Sequence, residues 1–105
     1  MNKSTNLFKW ISVMLLFLWN ANMAFSQANA GADINTCQPA VMLNANMPAA
    51  GESGVWTVLD GEATFENPSI ANALVTLTSM GVYHLQWTLT DNSGGTTYDE
   101  VAINF

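Results

Sequence analysis

The sequence predicts an all-β sandwich of about seven short strands, preceded by an export signal. Three observations carry this reading. The stretch Gly81 to Thr90 alternates strictly, with Tyr83, Leu85, Trp87 and Leu89 on one side and His84, Gln86, Thr88 and Thr90 on the other, which is the period of a half-buried strand. Turn formers punctuate the chain at regular spacing: Pro48, Gly51 and Gly54, then Asp60-Gly61, Asn67-Pro68-Ser69, and Asp91 to Gly95. Beyond residue 26, no useful window has helical periodicity.

Residues 1–26 carry Lys3 and Lys9, an apolar run from Trp10 to Trp19, and small residues at Ala24 and Ser26. This is the three-part layout of a signal peptide helix, with cleavage expected between Ser26 and Gln27. A membrane anchor is the competing reading, but Asn20 and Asn22 end the apolar run short of the roughly 20 residues a spanning helix needs. Cys37 lies too far downstream to be a lipoprotein cysteine. Residues 27–105 then form one domain, near the small end of what folds alone and burying about 60% of its unfolded surface.

Within that domain, 27–34 is expected as a short first strand at an edge. Ala40 to Ala45 follows, with Val41, Leu43 and Ala45 facing in. Val55 to Leu59 is the third, with Trp56 and Val58 on one face. Asp60-Gly61 is the strongest short hairpin signal, leading into Glu62 to Phe65 with Ala63 and Phe65 inward. Ala73 to Leu77 comes next, then the central strand from Gly81. A loop over Asp91 to Thr97 ends in a last run with Val101, Ile103 and Phe105 set against Glu100, Ala102 and Asn104. The expected structural core is Trp56, Tyr83, Leu85, Trp87, Val101 and Ile103.

Lys3 and Lys9 are the only basic residues of the 105, so the domain keeps all eight acids and no Lys or Arg. Nucleic-acid binding and attraction to anionic membranes both need cations, and both classes are set aside. Salt bridges to Lys or Arg are impossible after cleavage. With Cys37 as the single cysteine, no internal disulfide compensates for the small core. The acidity fits solubility outside the cell.

Seven strands, a Trp on the third and Gly81-x-Tyr83-x-Leu85 entering the sixth resemble the landmarks of an immunoglobulin-like sandwich, in which a Tyr near the start of strand F turns its hydroxyl back to the chain. The run from Gly81 to Phe105, with the opening Ala30 to Cys37 and the segment Gly54 to Gly61, is similar to the polycystic-kidney-disease (PKD) type of that domain, especially the modules repeated in secreted surface proteins of Bacteroidetes. The likeness covers essentially all of Ala28 to Phe105. It implies that Leu85 stands where antibody domains have a disulfide cysteine. It also implies a partner for Cys37 in or near the last hairpin loop, but Asp91 to Thr97 contains no cysteine. Cys37 is therefore expected as the relic of a lost pair, with an intermolecular disulfide as the alternative. Such modules usually occur in tandem.

Few residues suggest chemistry. His84 is the only histidine, on the expected solvent side, with no second His or cysteine able to join it in a zinc site. No G-x-S-x-G element accompanies it, so Ser/His/Asp catalysis is not expected. Asp91, Asn92 and Asp99 are weak calcium candidates, without a D-x-[DN]-x-[DN]-G loop. Glu62 and Asp99 are a remote candidate for paired-carboxylate glycosidase chemistry. Trp56 and Trp87 invite comparison with a sugar platform, but their expected facing is inward. The expectation is a non-catalytic, cofactor-free exported module acting as a spacer or adhesion unit, with contacts through Asn46 to Gly54, Asp91 to Thr97 or edge strands. The alternatives are carbohydrate binding and self-association through an edge that no Lys guards.

Overall fold

The computed structural model describes residues 27–105, so the signal-peptide reading of 1–26 lies outside the described residues. Seven strands follow in order: β1 (Ile34–Asn35), β2 (Ala40–Met42), β3 (Ser53–Asp60), β4 (Ala63–Phe65), β5 (Leu74–Leu77), β6 (Val82–Thr90) and β7 (Thr96–Asn104). They form a four-stranded sheet in the order β1-β7-β6-β3 and a three-stranded sheet in the order β2-β5-β4. Alternation along β6 buries Tyr83, Leu85, Trp87 and Leu89 between the sheets, where Trp56, Val101 and Ile103 join them. The Trp56 and Trp87 rings lie 5.1 Å apart at 41°, a tilted aromatic pair at the centre of the core. Room for Trp87 comes from Gly54 on the neighbouring strand, where a Cβ would collide with the indole.

The immunoglobulin-type tyrosine corner is present. The Tyr83 hydroxyl donates to the carbonyl of Ser79 and accepts from its amide at 3.0 Å, pinning the turn that feeds β6. That amide bond draws the Tyr83 hydroxyl pKa below its usual 10.0, against the opposing effect of desolvation.

Several expectations change. Asp60-Gly61 is not a hairpin: β3 pairs with β6 and β4 with β5, so this turn carries the chain from one sheet to the other. A bulge between Val58 and Asp60 starts the departure, and Gly61, at φ 97°, packs against the Tyr83 ring so closely that a Cβ would collide with it. The first strand is also displaced. Only Ile34 and Asn35 pair, in parallel with Ile103 and Asn104 of β7. Residues 27–33 are too rich in Ala, Asn and Gly to favour a ladder, and Gly31 takes φ 88°. They are tied instead by side chains: Ala28 N donates to Thr97 Oγ1 at 2.9 Å, Ala30 N to Asp99 Oδ2 at 2.8 Å, and Ala102 N to Asp33 Oδ1 at 3.0 Å. The β2 ladder ends at Met42, yet Leu43 N and Ala45 N still reach Ala73 O and Ala71 O, so Val41 and Leu43 are buried as expected. At the other end of the chain β7 starts at Thr96, shortening the expected loop.

Candidate functional site

Antiparallel pairing of Ser53 with Thr90, and of Thr90 with Thr96, gathers two loops at one pole of the sandwich: 46–52 and 91–95. They touch, the Asn92 amide lying against the backbone of Gly51. Gln27 is at this pole too, its carbonyl accepting from Asn46 Nδ2 at 2.8 Å. The far pole holds the tyrosine corner, the turn at Gly61 and the chain end, where Gly81 and Phe105 exchange two backbone bonds.

Asp99 is separated from Asp91 and Asn92, and all three calcium candidates are otherwise engaged. Asp91 Oδ1 accepts the amides of Ser93 and Gly95, both at 2.8 Å, and so closes its own turn. Asn92 packs on Gly51. Asp99 lies opposite Trp87 on β7, three positions beyond Thr96, or about 10 Å along a strand, and takes the Ala30 amide. Among the described residues, no group of three or more His, Cys, Asp or Glu has metal-holding geometry. Glu62 turns beside Tyr83 at the far pole, its carbonyl taken by Thr78. Asp99 is level with Trp87, four positions along β6 from Tyr83, so Glu62 and Asp99 do not form a carboxylate pair.

Cys37 is exposed with a free thiol in the turn after β1, whose neighbour Thr36 bonds Asn104 O. It is therefore at the far pole, the length of β7 away from loop 91–95. A cysteine in that loop could not pair with it, which corrects the expected partner position. His84 faces outward beside Asp60, its Nδ1 3.4 Å from Asp60 Oδ2, with the His84 side chain half-buried and that of Asp60 exposed. Trp56 and Trp87 are 2% and 0% exposed, so neither offers a sugar platform. Trp56 Nε1 donates to Ile70 O at 3.1 Å, and Trp56 N donates to Pro68 O at 2.8 Å, so segment 67–71 covers the middle of the β3 edge.

One feature escaped the sequence reading. On the outer face of the four-stranded sheet, Val55, Thr88 and Tyr98 stand in one cross-strand row and Thr57, Gln86 and Glu100 in the next. Tyr98 is 68% exposed, an aromatic ring presented among hydroxyl, amide and carboxylate groups. Its outward phase was available from its spacing to Val101 and Ile103, had the strand been started at Thr96.

This geometry has solved counterparts. The PKD domain of the KIAA 1837 protein superposes with a TM-score of 0.62 and 22% identity over 77% of this chain and 86% of that one. The fold is that of a PKD domain. A nucleoside hydrolase-related hypothetical protein from Saccharophagus degradans, described as associated with carbohydrate metabolism, matches with a TM-score of 0.60 and 21% identity over 77% of this chain. The PKD-like sandwich spans only 26% of that longer chain. No family model matches the sequence, and no curated protein does.

Proposed function

We propose that this chain is a non-catalytic, exported PKD-like module that serves as a spacer or adhesion unit at the cell surface or in secreted material. The observation that carries the reading is where the chain enters and leaves. Ala28, next to Gln27, bonds Thr97 at one pole, and Phe105 closes β7 at the other, about 25 Å away along the strand. Modules joined through such ends extend in line. The side chains favour the non-catalytic part: the single histidine shares the surface with one loosely placed carboxylate, and Asp33, Glu52, Asp91 and Asp99 are occupied in accepting backbone amides.

Expression of the full chain with a C-terminal epitope tests this. The expected product is surface-exposed or extracellular, sensitive to added protease and shortened by residues 1–26. Retention inside the cell at full length overturns the reading. Carbohydrate binding is the second reading, supported by Tyr98 amid Gln86, Thr88 and Glu100. It requires glycan-array binding by the domain that Tyr98→Ala abolishes.

A further inference from the structure

We propose that Gln27 becomes the first residue of the exported chain and cyclises to pyroglutamate, capping a strap that holds the two sheets together. The proposal rests on the leader reading of residues 1–26, with cleavage after Ser26.

The strap is short and lies next to that cleavage point. Within four residues of Gln27 the chain reaches both sheets. On one side, Ala28 N and Ala30 N donate to Thr97 and Asp99 of β7. On the other, Asn29 and Asn46, the latter just past β2, exchange two bonds: Asn29 N to Asn46 Oδ1 at 2.8 Å and Asn46 N to Asn29 O at 3.0 Å. Ala30 itself is part of the core at 1% exposure. An aminopeptidase taking four residues would remove all of these contacts. Most strands of the sandwich are protected by their position in the middle of the chain, but this strap is not.

Gln27 is the residue type that can close the end against such trimming. Its carbonyl is fixed by Asn46 Nδ2 while its side chain is exposed, leaving the carboxamide free to swing toward the α-amine. An α-amine ordinarily titrates at about 7.7–8.0, so roughly a tenth to a sixth of it is unprotonated and nucleophilic at pH 7, and more as the pH rises. The amine nitrogen attacks Cδ of its own side chain, an N–Cδ bond forms, and the Cδ–Nε2 bond breaks. The departing nitrogen takes the proton lost by the amine and leaves as ammonia. No oxidant or second substrate is needed. The lactam has no basic nitrogen, so the step also removes the one ammonium that cleavage would create on a domain without Lys or Arg. Every bond of the strap, from the Gln27 carbonyl onward, survives the cyclisation.

Intact mass measurement of the exported protein tests this. The expected mass corresponds to a chain starting at residue 27 and lighter by one ammonia, and the protein resists a broad-specificity aminopeptidase. Gln27→Ala should start at the same position without the ammonia loss, be trimmed by that enzyme, and lose thermal stability once trimming passes Ala30. A chain starting at Gln27 with its ammonia retained overturns the cap but leaves the leader reading intact. A chain starting elsewhere overturns the cleavage reading, and the cap with it. A trimmed Gln27→Ala protein that melts like the untrimmed one overturns the role of the strap.

Discussion

β6 and β7 run for nine residues each and β3 for eight, whereas β2, β5 and β4 contribute three, four and three. The two sheets enclose one core but are held differently. β6 and β7 pair in one continuous ladder and β3 joins β6 with a single bulge, with every second side chain buried from Tyr83 to Leu89. The short sheet depends on bonds made outside its ladders: Leu43 N to Ala73 O, Leu77 N to Pro39 O, Glu66 N to Leu74 O and Thr78 N to Glu62 O. The long sheet is thus largely a property of its own sequence, while the short one depends on crossovers and turns that deliver its strands. Damage to each should look different.

The largest effect is expected at the centre of the long sheet. Trp87→Ala empties the space shared with Trp56 and the room that Gly54 leaves, in a core with no disulfide to hold it. The expected loss is about 3–5 kcal/mol, read from the denaturant midpoint. Trp87→Phe should cost clearly less. It keeps a ring in place and deletes an indole N–H that has no partner among the described residues. Equal losses for the two variants would mean that volume does not govern this position.

Next comes the crossover that divides the sheets. Gly61 needs φ 97° and has the Tyr83 ring where a Cβ would go. Gly61→Ala should therefore cost about 2–3 kcal/mol, combining backbone strain with overpacking. Gly94, at φ 84° in the β6–β7 turn, has open space around it. Gly94→Ala carries the strain alone and should cost about 1–2 kcal/mol. The difference between the two, measured by thermal or denaturant unfolding, isolates the packing of the crossover against the tyrosine corner.

The same contrast explains what could be read from the sequence. β6 was legible because burial on one face imposes a period of two over nine residues, and the inward set of Tyr83, Leu85 and Trp87 follows directly. The tyrosine corner was legible because its spacing from Gly81 is local. Asp60-Gly61 misled because a left-handed glycine marks a tight reversal without saying whether the flanking strands bond each other, and here β3 pairs with the distant β6 while β4 pairs with the following β5. Residues 27–33 misled because their order comes from Thr97, Asp99 and Asn46, none of them near in sequence. The candidate site was the least legible part. Carboxylates were visible as types, but their engagement in turn and amide capping exists only after folding.

A change as small as that expected at Gly94 separates the sheets most finely. Trp56 belongs to β3, yet its indole N–H bonds Ile70 O, and its backbone N–H bonds Pro68 O in the segment leading to β5. Its ring also stacks on Phe65 of β4 at 6.4 Å, so one side chain connects the long sheet to the short one. Trp56→Phe preserves most of the apolar area but orphans the Ile70 carbonyl, an expected loss of about 1–2 kcal/mol. If the short sheet depends on such links, amide exchange in this variant should quicken in β4 and β5 and stay slow in β6 and β7. Uniform quickening across all four strands would instead show that the sandwich opens as one unit, and that the difference in strand length carries no difference in local stability.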